Sequence, residues 1–363
     1  MTCNKPRASS RRLARASMPS RKRSVLTPPP RPGWNAAKDS GVFWSVGQPS
    51  AWHTAGPAGA AQAWDRYGNK DSFAMTDVSG AATGSFQAFT GISVPVGLVD
   101  VGANFLDDPP PYTPVLAAGA ASLVGFEPNP RALADLIARQ GPGETYLPHA
   151  IGDGREHTLR VCRAEGMTSL LEPDPRVLGL FHGFSQWGEV LEHRLVPTVR
   201  LDDVPEIRVM DYLSMDIQGA ELMALRHAEK RLAEAVMLRI EVEFLPLYKG
   251  QPLFADIDLF LRDRGFVLHC FSPLVKRTVQ PLIVNNSVYE GLNQLLWADA
   301  VFVRDFTRPE IMTDHQLLAL ARLAHEIQGS FDLSLHLLQH YDQRTTADLA
   351  GRYRDRLLGE EQA

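Results

Sequence analysis

Apolar and polar positions follow no sustained period until residue 94, where a regular series of short apolar runs and amphipathic stretches begins. "VPVGLVDVG" (94–102) is an apolar run closing on Asp-Val-Gly, the pattern of a parallel strand covered on both faces. "YTPVLAAGA" predicts a short helix with Pro114 in its first turn. "ASLVGFEPNP" is a second strand ending at Glu127. "PRALADLIARQG" is a helix with Leu133, Leu136 and Ile137 on one face and Gly141 as its stop. "ETYLPHAIGD" is a third strand running into a Gly-Asp turn. Together these predict β-α-β-α-β, the opening of a doubly wound sheet.

The pattern continues with "HTLRVCRA" and "EHRLVPTVRLDDV", read as an inserted hairpin or sheet-edge strands around a Pro/Gly/Phe-rich loop at 172–188. "DYLSMDIQGAE" is a fourth core strand, "ELMALRHAEKRLAEA" the helix after it, and "VMLRIEVEFLPLY" a fifth strand. "FADIDLFLRDRG" is an amphipathic helix closed by Gly265. "FVLHCFS" and "WADAVFVRDF" predict a final, antiparallel pair. Residues 313–342 and 345–358 have helical spacing, with Leu317, Leu320, Ala321, Ala324, Leu333, Leu337 and Leu338 on the apolar side. The expected organisation is a basic, low-complexity extension over 1–90, an α/β domain over 91–306 and a helical C-terminal appendage over 307–363.

Composition changes this picture in one respect. The formal charge of -5 over 363 residues hides an asymmetry, because residues 1–74 carry +9 and the remainder -14. The basic excess sits in an Arg-, Ser- and Pro-rich stretch with too little apolar surface to offset its ordering entropy. The acidic body does not suit nucleic acid, which needs clustered Lys and Arg. Cys3, Cys162 and Cys270 are scattered and have no zinc-site spacing, as expected of reduced thiols in a cytoplasmic protein. No run of apolar residues is long enough to span a membrane.

Candidate chemistry gathers at the predicted strand ends. Asp100, Gly102 and Asn104 end the first strand, where glycine lets backbone approach a ligand; a plain structural turn is the alternative. Glu127, at the end of the second strand, can take both hydroxyls of an adenosyl ribose, or else stabilise the following helix N-terminus. Ile151 and Asp153 stand where an apolar side chain and an acid can meet adenine, or simply form a turn. Asp216 ends the fourth strand, ahead of Gly219 and the helix-opening Glu221. Glu241 and Glu243 share one face of the fifth strand, which is costly in an apolar strand unless they are paired or solvated; Arg239 and Arg277 are possible salt-bridge partners. Thr168 and Ser169 are read as turn residues. No metal-ligand set stands out, although Asp107-Asp108 and Asp202-Asp203 leave a divalent ion open.

The blocks "VDVGAN", "VGFEPNP", "HAIGDG", "GMTSLLEP", "VRLDDV", "LSMDIQGAE", "IEVEFLPLYKGQPLF" and "IDLFLRDRGF" together resemble the FkbM family of S-adenosylmethionine-dependent methyltransferases, over about residues 95–305. The resemblance implies a Rossmann-like class I methyltransferase fold, a mostly parallel sheet with an antiparallel last strand, and O-methylation of a small-molecule or glycan hydroxyl. On that pattern Asp100, Gly102 and Asn104 form the methionine-side loop, Glu127 binds ribose, Asp153 or its neighbours sit near adenine, and Asp216 lies near the methyl group. Candidate bases are Asp216, Glu243 and Glu241. The sequence departs from the family after Asn104, where "FLDDPPPY" replaces a direct entry into helix; Asp107 or Asp108 is then available to the cofactor's ammonium. Competing readings are a nicotinamide-dependent oxidoreductase, which wants a glycine pattern that "GANFLD" lacks, and a non-catalytic adenosyl-binding or interaction module. Phe181, Phe184 and Trp187 are expected to shape the acceptor site, and the C-terminal helices to cover the sheet, dimerise or dock a partner.

Overall fold

A computed structural model describes residues 84–104 and 109–359. The basic segment through residue 83 and the Asp107-Asp108 pair lie outside the described residues.

The strands are β1 (Val96–Val101), β2 (Ala121–Phe126), β3 (Glu144–Leu147), β4 (Ala150–Ile151), β5 (Glu156–Cys162), β6 (Val190–Val199), β7 (Tyr212–Met215), β8 (Met237–Glu243), β9 (Phe266–Lys276) and β10 (Leu295–Arg304). Seven of them form one sheet in the order β3-β2-β1-β7-β8-β10-β9. The pairs β3-β2, β2-β1, β1-β7 and β7-β8 are parallel, while β10 runs antiparallel to both β8 and β9. This is the mixed, mostly parallel Rossmann-like α/β sheet that the sequence predicts, including its antiparallel last strand. The order reverses between β1 and β7, so a crevice opens at their carboxyl ends.

Both sheet faces are covered, which is why the strands read as nearly continuous apolar runs. Alternation sorts the side chains between two cores. Val96 and Leu98 of β1, Tyr212 of β7 and Met237 of β8 pack with the C-terminal helices. Val99, Val101, Leu213, Met215, Leu238, Ile240 and Val242 pack with Leu222, Leu225, Ile257 and Leu261 on the other side. The first face changes character along the strands. Leu98 gives way to Asp100, Tyr212 to Ser214, and Met237 to Arg239, Glu241 and Glu243. The apolar ends are roofed by helices, and the polar ends form one side of the crevice.

Four expectations change. Residues 84–90 belong to the fold: the Phe86–Thr90 helix is capped by Ser85, and Phe86 and Phe89 contact the His325 and Tyr353 rings, so the extension cannot run through residue 90. The third strand is split. β3 ends before Pro148, which has no N–H to extend the ladder, and Ala150–Ile151 joins β6 in a separate three-stranded sheet of order β4-β6-β5. That sheet contains the predicted hairpin, β5 against β6. The helix expected over 221–235 is two, Glu221–Leu225 and Glu229–Glu234, with Asp202 accepting the Lys230 and Arg231 N–H groups at the second N-terminus. Finally, the segments Asp314–Leu323, Phe331–Thr345 and Leu349–Leu358 are a layer of the domain and not an appendage. Leu317, Leu320, Leu337, Leu338 and Tyr353 are fully buried, so that apolar side is used against the sheet. Arg322 anchors this layer. Its guanidinium pairs with Glu326 and donates to the Val94, Val115, Gly119 and Ala120 carbonyls, tying the layer to the loops that enter β1 and β2.

Candidate functional site

The switch point fixes the first residues. Asp216 N–H donates to the Val101 carbonyl, which sets the end of β7 against the end of β1. Gly102 follows with φ +86, and a Cβ there would lie 2.1 Å from the Asp216 carbonyl oxygen. The glycine therefore serves the close passage of two chain segments. Its N–H and that of Ala103 both donate to the Phe126 carbonyl, so these amides hold the turn. Asp100 receives a 2.6 Å hydrogen bond from the Tyr112 hydroxyl. Burial pushes its carboxyl up to about 6, against the opposing effects of Tyr112, Ser214 and Arg239. Asn104 closes the described part of this loop.

Glu127 leaves β2 with its side chain 7% exposed. Its Oε1 accepts the Asn129 N–H at 2.6 Å, and Asn129 in turn caps the Pro130–Arg139 helix through the Arg131 N–H. Burial raises the Glu127 carboxyl to about 7, with Glu165 and Asp100 adding repulsion. Among the described residues Oε2 accepts no hydrogen bond. A buried acid with one oxygen fixed and one open suits an incoming pair of hydroxyls.

Ile151 is buried in the second core. Asp153 is committed to its own turn. It accepts the Arg155 N–H at 3.0 Å, lies 2.8 Å from His157 Nε2, and pairs more loosely with the Arg155 side chain. Although burial pushes its pKa up, these contacts win and lower it. The geometry favours the turn role that the sequence left open beside the adenine role.

Across the crevice, β7 and β8 bring acids together. A carboxylate oxygen of Asp216, one of Glu221 and one of Glu241 all lie within 4.8 Å of one another. Asp216 is exposed, Glu241 half-buried, and Glu221 and Glu243 buried. Neither suggested arginine pairs with β8's acids: Arg239 pairs with Asp299, and Arg277 donates to the Lys276 and Tyr289 carbonyls. Glu221 caps the loop behind it, accepting the Ile217 and Gly219 N–H groups at 2.9 and 3.1 Å. Burial and then Asp216 push the Glu221 carboxyl up to about 7. Glu241 and Glu243 rise well above the usual range, first through burial and then through their acidic neighbours.

Gln218 organises this group, and it is absent from the residues singled out in the sequence. Its Nε2 donates to Asp216 Oδ1 and to Glu241 Oε2, each at 2.8 Å. The buried Tyr248 hydroxyl donates to its Oε1 at 3.0 Å, and Ser169 Oγ donates to its carbonyl at 2.6 Å. Ser169 is thus a strut under the acidic loop as well as a turn residue. Gln218 has φ +55, a conformation that costs a non-glycine residue about 1–2 kcal/mol. The signal for it in the sequence was its place before Gly219 in "MDIQGAE".

With this geometry established, residues 100–268 match the family described as methyltransferase FkbM domain. That match covers just under half of the chain. No curated protein matches the chain. Solved structures give distant likenesses. A Thermoplasma acidophilum chain provisionally assigned as a methyltransferase is 8% identical, with 59% of this chain and 70% of that one covered at a TM-score of 0.29. A precorrin-6y C5,15-methyltransferase from Geobacter metallireducens is 12% identical, with 60% and 86% covered at 0.27. LepI in complex with SAM is 9% identical, with 70% and 54% covered at 0.26.

The FkbM match ends inside β9, so β10 and the C-terminal helical layer lie beyond it. Beside the acidic cluster the matched segment carries an aromatic group. Phe181 and Phe184 are 1% and 4% exposed and pack with Met167, Tyr248 and Leu296. They are core, not an acceptor surface; Trp187, expected with them, is half-buried, and its ring stacks on Tyr289 at 6.0 Å between centroids. A cavity of about 550 Å³ lies elsewhere, lined by Leu98, Val124, Thr145, Arg208 and Val209, and contains none of the candidate acids.

Proposed function

We propose that this FkbM-matched chain is an S-adenosylmethionine-dependent methyltransferase that methylates a hydroxyl of a small molecule or glycan. One observation carries the reading. Glu127 after β2 and the Asp216–Glu241 pair of β7 and β8 lie on either side of β1 along the same switch-point edge, on an FkbM-matched segment. The residues fit the cofactor by a test independent of the family. Glu127 is a buried carboxylate with one oxygen free for outside donors, and the acids of β7 and β8 suit a cationic centre. The nicotinamide reading wants a glycine pattern that "GANFLD" lacks.

When bound, S-adenosylmethionine supplies an electrophilic methyl group on a sulfonium. Glu127 would hold the ribose end by accepting hydrogen bonds from its two hydroxyls. Asp100, oriented by Tyr112, and Asn104 face the methionine end, with Gly102 permitting the close passage of β1 and β7. Gly152 and Ile151 border the adenine side. Asp216 lies beside the reacting centre, steadied by Gln218. It would hold the acceptor's hydroxyl and take its proton; Glu243 and Glu241 are the other candidates. Alignment of the two reactants contributes most of the rate, up to roughly 7–11 kcal/mol of barrier.

Calorimetry with S-adenosylhomocysteine and with NAD tests the cofactor. Micromolar binding of the first and none of the second is expected. If neither binds the folded protein, the proposal fails. Binding without product across a broad panel of hydroxyl acceptors would turn the reading to a non-catalytic adenosyl-binding module.

A further inference from the structure

Three carboxylates, those of Asp216, Glu221 and Glu241, meet at the ends of β7 and β8, and the contacts that hold them come from amides. Gln218 Nε2 bridges Asp216 and Glu241, and two backbone N–H groups hold one oxygen of Glu221. A second observation points to a missing partner. Glu243 is 2% exposed, and its Oε2 has no hydrogen bond. Strand alternation puts Glu243 on the Glu241 side of β8, and Glu221 and Asp216 are the charges that act on it most. Gln251 is near enough to favour the ionised form of Glu243, yet its Nε2 falls outside hydrogen-bond geometry. A buried carboxylate oxygen without a donor is expensive, and three further acids around it make it more so.

We infer that Asp216, Glu221 and Glu241 form a divalent-cation site, with buried Glu243 as the acidic wall beside it. The donors are all carboxylate oxygen, with Gln218 Oε1 held away by Tyr248. Such a set selects a hard ion, magnesium, manganese or calcium, over zinc, which takes His and Cys. Asp216 is the exposed member, so coordination positions on its side stay open to solvent or to an acceptor oxygen. Cation-bound hydroxyls lose their proton more easily. That last role rests on the methyltransferase reading; the binding itself does not.

The test uses the full chain, stripped with EDTA and titrated with Mn²⁺ while electron paramagnetic resonance reads the free ion. One Mn²⁺ per chain is expected, displaced by excess Mg²⁺ or Ca²⁺. Asp216→Asn and Glu241→Gln should each weaken it by about tenfold or more. Asp203→Asn, an exposed acid outside the cluster, should leave it unchanged. If Glu241→Gln fails to fold by circular dichroism, Asp216→Asn at the exposed position carries the test. A wild-type chain that binds no Mn²⁺, or a site indifferent to these substitutions, overturns the inference. S-adenosylhomocysteine calorimetry on the stripped protein separates the two proposals. Binding of that ligand without Mn²⁺ binding removes the cation site alone, and Mn²⁺ binding without it removes the cofactor reading alone.

Discussion

On the proposed reading, cofactor affinity should rise with pH through neutrality, because the Glu127 carboxyl proposed to receive the ribose loses its proton over that range. Burial lifts the Glu127 carboxyl from 4.5 to about 7. The sign follows from linkage: the folded state holds this proton more tightly than the unfolded chain. The proton's contribution to stability is complete below pH 4.5 and is lost as pH rises through 7. The shift corresponds to about 3 kcal/mol as a ceiling, which solvent reaching the open oxygen reduces. Hydroxyl donors bind the ionised form. Its share climbs from about one tenth at pH 6 to about nine tenths at pH 8, so affinity for S-adenosylhomocysteine should rise about tenfold over that range. Glu127→Gln keeps the size of the side chain and the Asn129 contact but cannot ionise. It should weaken binding by about 1–2 kcal/mol, or about ten- to thirtyfold, at pH 8. The variant should also be flat above pH 7, retaining only the lower limb due to Asp100, whose carboxyl titrates at about 6. Calorimetry from pH 6 to 8.5 on both proteins measures this. A wild-type affinity independent of pH, or a variant that keeps the limb between pH 7 and 8, refutes the assignment of Glu127.

Three further outcomes follow from particular contacts. Gln218→Ala removes the donor shared by Asp216 and Glu241 and should cost about 1–3 kcal/mol in urea denaturation; Gln218→Gly should recover about 0.5–1 kcal/mol of that, since φ +55 suits glycine, and a glycine variant no more stable than alanine would show no strain there. Arg322→Ala strips a buried guanidinium from Glu326 and four carbonyls and should destabilise by about 3–5 kcal/mol; a loss under about 1 kcal/mol would mean that the helical layer is held without it. Asp153→Asn should lower the melting temperature yet change S-adenosylhomocysteine affinity less than about twofold, because the carboxylate is already bonded to Arg155 and His157; a tenfold loss of affinity with unchanged melting would return Asp153 to the adenine side.

The parts of this molecule that were legible in sequence are those whose cause is local. A buried parallel strand needs a continuous apolar run, and an acid directly after such a run must sit at the crevice. Asp100, Glu127, Asp216, Glu241 and Glu243 therefore declared their positions without any knowledge of contacts. What was not legible depends on partners far along the chain. Gln218 acquires its role from Tyr248, Ser169 and Glu241, none of which its own neighbourhood announces, and its left-handed backbone is tolerated because those three bonds fix it. Arg322 lies between the apolar positions of an ordinary amphipathic helix, and only the docking of that helix turns it toward the loops before β1 and β2. The same distinction explains Phe181 and Phe184. An aromatic loop between the strands of a hairpin reads as a substrate surface, yet Leu247 and Tyr248 from the loop after β8 and Leu296 of β10 arrive to bury it. The acidic cluster joins the two kinds of information. Spacing placed Glu241 and Glu243 on one side of β8 and left open whether arginines neutralise them. Long-range pairing answers that Arg239 belongs to Asp299, and the charge left behind at β7 and β8 is what calls for a cation.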